Sequence, residues 1–205
     1  MLNNNHDGFF VAVDGPNGSG KSTLIQSVKD RIESLGYTVY ITREPTDTKL
    51  GRFIREFAES HSGISLACLV ASDRYEHISN EIVPELGKGS IVITDRYVLS
   101  SLILQGMDDV SNEYILNLNS EIIKLDLQLA VYADEEGLQI RLAERSELTR
   151  FEKDNQSNAE LNYMEEGIIQ LERKNVNVLC ICNNDDLEAN VEKIVSFIVN
   201  NWRKS

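Results

Sequence analysis

Between Phe9 and Thr23 the chain reads FFVAVDGPNGSGKST: an apolar run, a glycine-rich turn, then a lysine and two hydroxyls opening a helical pattern. Gly15, four residues, then Gly20-Lys21-Ser22 is the spacing of a loop that wraps phosphates. Without Cβ atoms in the way, its backbone N–H groups turn inward on phosphate oxygens, so Gly15, Asn17, Gly18, Ser19, Gly20 and Thr23 are candidate lining residues. Lys21 adds a point charge for β- and γ-phosphates, Ser22 offers a hydroxyl to Mg2+, and the helix that follows turns its positive end to the same anions. The ligand implied is a nucleoside triphosphate such as ATP.

A second set of groups could act on that triphosphate. Asp95 ends the apolar run SIVITD and is followed by Arg96, in the manner of a Walker-B carboxylate, which makes Ser22 and Asp95 a candidate metal pair. Arg43 leaves a strand just before Glu44 and Pro45, Arg55 and Arg74 lie in helical stretches, and Arg145 and Arg150 bracket a polar flap. Phosphoryl transfer needs such cations to hold an acceptor phosphate and to neutralise the moving group. A solvated helix face is the competing reading for Arg55, near Glu56 and Glu59, and for Arg74, within Asp73-Arg74-Tyr75-Glu76. His61 and His77 have no triad or ligand partner, and Tyr97 reads as packing.

Strands alternating with helices must position these groups. Continuous apolar runs at Phe9 to Asp14, Thr38 to Thr42, Ser90 to Asp95, Leu127 to Tyr132 and Val176 to Cys182 read as buried parallel strands. Helical patterns fall at Lys21 to Leu35, Leu50 to Glu59, Ser65 to Leu86 with an interruption near Pro84, Ser100 to Leu104, Asn112 to Lys124, Glu135 to Arg145, Ala159 to Lys174 and Leu187 to Trp202. The implied fold is α/β, a three-layer single domain over 9–205, with a frayed tail at 1–8 and a mobile lid at about 146–158. In such sheets ligands sit beyond the carboxyl ends of the strands, where the phosphate loop also lies.

Composition narrows the function classes. With 205 residues, 41% hydrophobic and 26% charged, one domain with a sizeable core is expected. A formal net charge of -13 argues against a nucleic-acid or anionic-membrane surface, since either needs a basic face. Neither a membrane span nor a signal peptide is seen, which makes cytoplasm the default. Cys68, Cys180 and Cys182 are expected as buried or half-buried thiols, because C-x-C lies in an alternating apolar run without a second ligand cluster. The Asn-Lys-x-Asp motif of a GTPase is absent, and a large ATPase would need further modules, which leaves a small-molecule kinase.

The segments GPNGSGKST, TREPTDTKLGRFIRE, ASDRYEH, ITDRYVLSSLILQG and RLAERSELTRFE, in that order, resemble the thymidylate kinase family over residues 9 to about 155. The resemblance implies a P-loop kinase fold, a five-stranded parallel sheet in the order 2-3-1-4-5, and a homodimer. It also implies transfer of the ATP γ-phosphoryl group to a pyrimidine deoxynucleotide, dTMP first. By that resemblance Lys21, Ser22 and Asp95 serve ATP and Mg2+, and Arg43, Arg55 and Arg96 surround the acceptor phosphate. Arg74 and Gln105 read the base edge, Glu44 and Pro45 shape the site, Ser100 and Ser101 line its floor, and Arg145 and Arg150 close with the lid. Leu125-Asp126 departs from the family's common Pro-Asp in a turn, and three further positions depart at the site. Asn17 stands where an acidic residue is common, Val70 where an aromatic ring stacks on the base, and Leu104 where an aromatic crowds the sugar. A deoxynucleoside kinase, a modified-pyrimidine nucleotide kinase and a non-catalytic ATP-binding paralogue are the alternatives.

Overall fold

The computed structural model describes residues 1–132, 157–183 and 186–202. The expected helix Glu135 to Arg145, Arg150 and most of the expected lid lie outside the described residues. Five strands, β1 (Phe9–Asp14), β2 (Val39–Arg43), β3 (Ile91–Asp95), β4 (Leu127–Tyr132) and β5 (Val178–Cys182), form one sheet in the order β2-β3-β1-β4-β5. All four pairings are parallel, with Val11 opposite both Ile93 and Leu127.

Both faces of β1 are buried, which is why its sequence is apolar without alternation. Phe9, Val11 and Val13 pack with α1 (Lys21–Ser34) and α8 (Leu187–Trp202), through Leu24, Val28, Ile194 and Ile198. Phe10 and Ala12 face the opposite layer, where α3 (Gly63–His77), α5 (Val98–Met107) and α7 (Ser157–Glu172) supply Ala67, Leu99, Leu102, Met164 and Leu171. The three layers put the loops after β1, β2 and β3 at one sheet edge. No helix among the described residues is long and apolar enough to cross a membrane.

Several local readings need correction. The 1–8 segment, expected to fray, is docked: Leu2 N–H donates to Ile122 O at 2.8 Å, Lys124 N–H to Leu2 O at 2.7 Å, and Asn4 to Asp126 Oδ2 at 2.7 Å. The helical stretch after α3 is interrupted by a π turn, Ile78–Ile82, ahead of Pro84, and α4 (Val83–Gly87) takes the proline in its first turn, where a missing N–H costs little. The pattern from Asn112 to Lys124 stops early, as α6 (Asn112–Leu118) ends at Asn119. All three cysteines are exposed; Cys180 and Cys182 share one face of β5, which is the sheet edge.

Candidate active site

The phosphate loop is fixed by contacts that tolerate only glycine. A Cβ on Gly15 would fall 2.2 Å from Val131 O of the neighbouring strand, and Gly18 and Gly20 sit at φ 80 and 84. Lys21 is folded back into this loop, its Nζ donating to Gly15 O at 2.9 Å and Pro16 O at 2.8 Å. Burial, and next the Arg96 charge, bring its ammonium down to about 7 against the opposing pull of Asp95, Asp14 and Glu160. Asn17, Gly18, Gly20, Lys21, Ser22 and Thr23 line a cavity of about 260 Å3 together with Asp95 and Arg96. Gly15 and Ser19 lie behind that lining, and Ser19 is fully buried.

Beside it lies a second cavity of about 330 Å3, and every acceptor-side residue expected from the sequence borders it: Arg43, Glu44, Pro45, Arg55, Val70, Arg74, Arg96, Ser100, Ser101, Leu104 and Gln105. They come from the β2 exit, α2 (Lys49–Phe57), α3, the β3 exit and α5. Ile54, Ala58, Glu59 and Leu66, not anticipated, also line the wall, as does Tyr97, expected as packing. The two cavities share Asn17, Asp95 and Arg96. Gln105 is 4% exposed and its Oε1 has no hydrogen-bond partner among the described residues.

Arg74 is no solvated helix face. It is 1% exposed, its Nε donates to Glu44 Oε2 at 2.8 Å, Nη1 to Asn119 Oδ1 at 2.7 Å, and Nη2 to Tyr97 O and Ser101 Oγ, both at 3.0 Å. Asn119 was missed from sequence, and it explains the early stop of α6: its side chain bonds Ile115 O at 2.8 Å and turns the other end to the arginine. His77, given no role from sequence, is buried with Nδ1 3.2 Å from Glu44 Oε1 and Nε2 2.7 Å from Thr42 Oγ1. Glu44, next to a cis peptide at Pro45, thus lies between two cationic or polar partners. Asp73, also unanticipated, takes Thr46 N–H at 2.8 Å and Thr46 Oγ1 at 2.6 Å, which ties the β2 exit to α3.

Arg55 is half-buried and braces that exit loop, through Pro45 O, through Thr46 O at 2.9 Å and through Asp47 Oδ1 at 2.9 Å. Arg43 reaches the same Asp47 oxygen, and its hydrogen bond holds the Asp47 carboxyl below the usual carboxylate range. Tyr97 is fully buried, donates to Ile123 O at 3.1 Å and has its phenol pushed well up by burial, in keeping with packing.

The donor set suits Mg2+ held largely by phosphates and water. Asp95 Oδ1 is buried without a partner among the described residues, and Ser22 and Asp95 border the phosphate-loop cavity together. Among the described residues no three His, Cys, Asp or Glu groups cluster as a dedicated metal cage. Arg145 and Arg150 lie outside the described residues.

Comparison with known proteins agrees with this geometry. A family model described as thymidylate kinase matches residues 13–194. The chain is 40% identical over 148 residues to a probable thymidylate kinase of Caldivirga maquilingensis, covering 70% of this chain and 72% of that one. It is 34% identical over 182 residues to a probable thymidylate kinase of Pyrococcus abyssi, covering 84% and 89%. A thymidylate kinase of Caldicellulosiruptor saccharolyticus is 42% identical over 130 residues, covering 60% and 63%.

Proposed function

The chain belongs to the thymidylate kinase family, and from that premise we propose how its two cavities carry out ATP-dependent phosphorylation of a nucleoside monophosphate, dTMP to dTDP. The observation that carries the reading is the meeting of the cavities at Asn17, Asp95 and Arg96. A triphosphate in the loop and a monophosphate next to it would then present the γ-phosphorus and an acceptor oxygen to each other in line. The acceptor oxygen forms the new P–O bond as the β-γ bridge breaks and its electrons pass to ADP. Lys21 and the loop N–H groups take up charge on the donor side, Arg96 spans the junction, and Arg43 and Arg55 hold the acceptor phosphate. Arg145 and Arg150 are proposed to close over the transfer. Mg2+, with Ser22 and Asp95 to hold it, would supply charge neutralisation of the β- and γ-oxygens.

Base selection follows from the buried polar groups. The unpaired acceptor Gln105 Oε1 asks for a ring N–H, which thymine and uracil present at N3 and cytosine does not. Val70 and Leu104, where the family commonly has aromatics, leave the slot aliphatic, which favours admission of pyrimidines with altered 5-substituents as a second reading. Exposed Ile64 on α3 lies near Cys68, which is 3.7 Å from the exposed Tyr114 on α6, and this apolar face supports a homodimer. The substrates are free nucleotides, which fits work in the cytoplasm.

The test is ATP consumption with dTMP, dUMP, dCMP, 5-modified pyrimidine monophosphates and the matching nucleosides. Turnover with dTMP, less with dCMP and none with nucleosides is expected. Turnover of nucleosides without monophosphates would overturn the placement of Arg43, Arg55 and Arg96 around a phosphate.

A further inference from the structure

Asp14 ends β1, immediately before the phosphate loop, and is fully buried. Its Oδ1 accepts from the backbone N–H of Tyr97 at 3.2 Å, from that of Ser100 at 2.9 Å, and from the Ser100 hydroxyl. Oδ2 accepts from Gln128 Nε2 at 2.9 Å. The N–H groups belong to the opening turn of α5, whose own N-cap residue Tyr97 makes no side-chain cap. A carboxylate from another strand therefore caps the helix.

The bond to the Ser100 hydroxyl goes further than capping. A hydroxyl has one proton, and with that proton on Asp14 its lone pairs face Arg96, whose Nη1 lies 3.3 Å from Ser100 Oγ. The other arm of the guanidinium, Nη2, donates to Asn17 Oδ1. The Arg96 backbone stands at φ 76, an outlier for a side-chain-bearing residue, with its N–H on Val13 O at 3.0 Å. Arg96 is thus gripped from one end of the phosphate loop through Ser100 and from its middle through Asn17.

We propose that Asp14 is a positioning residue for phosphoryl transfer: it fixes the proton of Ser100 so that the hydroxyl accepts from Arg96, and so locks the guanidinium between donor loop and acceptor cavity. The inference rests on Arg96 meeting the acceptor phosphate. Without the carboxylate the hydroxyl is free to turn its proton toward the arginine, which removes an acceptor and adds a repulsive dipole. Asp14→Ala removes the acceptor of the Ser100 proton, whereas Asp14→Asn keeps an oxygen for it and is the conservative control.

The experiment measures steady-state kinetics with dTMP and ATP, plus thermal unfolding, for Asp14→Ala, Asp14→Asn, Ser100→Ala, the double variant Asp14→Ala with Ser100→Ala, and Arg96→Ala. Asp14→Ala and Ser100→Ala are each expected to lower kcat/KM for the acceptor by about tenfold or more, with Asp14→Asn keeping most of it, the double variant no worse than either single one, and a smaller rise in KM for ATP, which feels Asp14 through its charge near Lys21. Additive losses, an equal rise in KM for ATP, or a lowered Tm with intact kinetics would each overturn the proposal. Full turnover in Arg96→Ala would sink the placement of Arg96 itself. That result is distinct from an Arg96→Ala loss accompanied by an unaffected Asp14→Ala, which sinks only the role of Asp14.

Discussion

The loop proposed to hold ATP and the cavity proposed to hold the acceptor lie side by side at one sheet edge but are built in different ways. The loop is one continuous stretch whose ligands are mainly backbone N–H groups, so its chemistry depends on glycines at fixed spacing and on one lysine. The acceptor cavity is assembled from side chains of several separate elements, and its central arginine is held by four residues from three places in the chain, Glu44, Tyr97 with Ser101, and Asn119. A site written into one segment resists drift; a site spread over many can change one wall at a time. Against the pattern that the resemblance implies, the wall departs at Val70 and Leu104 and the loop at Asn17.

The largest contrast is expected from Lys21→Ala. Turnover should fall about a thousandfold or more while circular dichroism and Tm stay near those of the parent, because the lost group serves a charge that develops in the donor. Near-normal turnover would show that the loop does not act through its lysine. The same ammonium carries a pH dependence. With its value brought down to about 7 in the free protein, it is charged below that and must take up a proton to meet phosphates above it. KM for ATP should therefore rise above pH 7, by up to about tenfold per unit, whereas KM for the acceptor should not follow it. For folding the sign is opposite: the unfolded chain keeps this proton up to its ordinary value, so stability from this group rises with pH between about 7 and 10.5.

On the acceptor side the counterpart is Arg74→Leu, where fold and function are joined. Removing the guanidinium leaves Glu44, 6% exposed, beside His77 with no arginine, and about 3 to 5 kcal/mol of stability should go with it. Urea unfolding checks the loss; an unchanged midpoint would mean that the buried pair is incidental to the wall. Val70→Phe is the sharper probe of specificity. An aromatic ring against the base is worth about 1 to 3 kcal/mol in stacking sites, so kcat/KM for dTMP should rise by roughly ten- to hundredfold with ATP kinetics unchanged. A fall instead would mean the cavity is filled by the present aliphatic wall.

These contrasts also explain what could be read before the fold was in view. The loop, the parallel strands and the placing of Asp95 at the same sheet edge as Ser22 follow from local rules: apolar runs too short for helices, glycines where N–H groups must converge, an acidic residue at a strand end; the sheet order was implied by the family resemblance alone. Asn119 was invisible because its role needs Arg74, 45 residues away, and helical periodicity alone carried α6 past it. Asp14 looked like the end of an apolar strand, since the N–H groups it caps lie more than 80 residues on. The π turn before Pro84 was legible only as an interruption. Cys180 and Cys182 were expected inside by residue type, and the sheet edge puts their face outside.

The smallest effect is expected where the acceptor side meets solvent. Asp47, whose side chain is 66% exposed, accepts from both Arg43 and Arg55 on a single oxygen, so an incoming acceptor phosphate must take those arginines from it. The carboxylate is a resident competitor with the same chemistry as the substrate but less charge. Asp47→Asn keeps the shape and weakens the competition. KM for the acceptor should fall by about two- to fivefold with kcat unchanged, in the range of exposed ion pairs. The advantage should shrink as ionic strength rises and screening brings the two proteins together. A raised KM would mean that Asp47 aims the arginines rather than occupying them, and would move the acceptor site's organisation one shell further out than the donor loop requires.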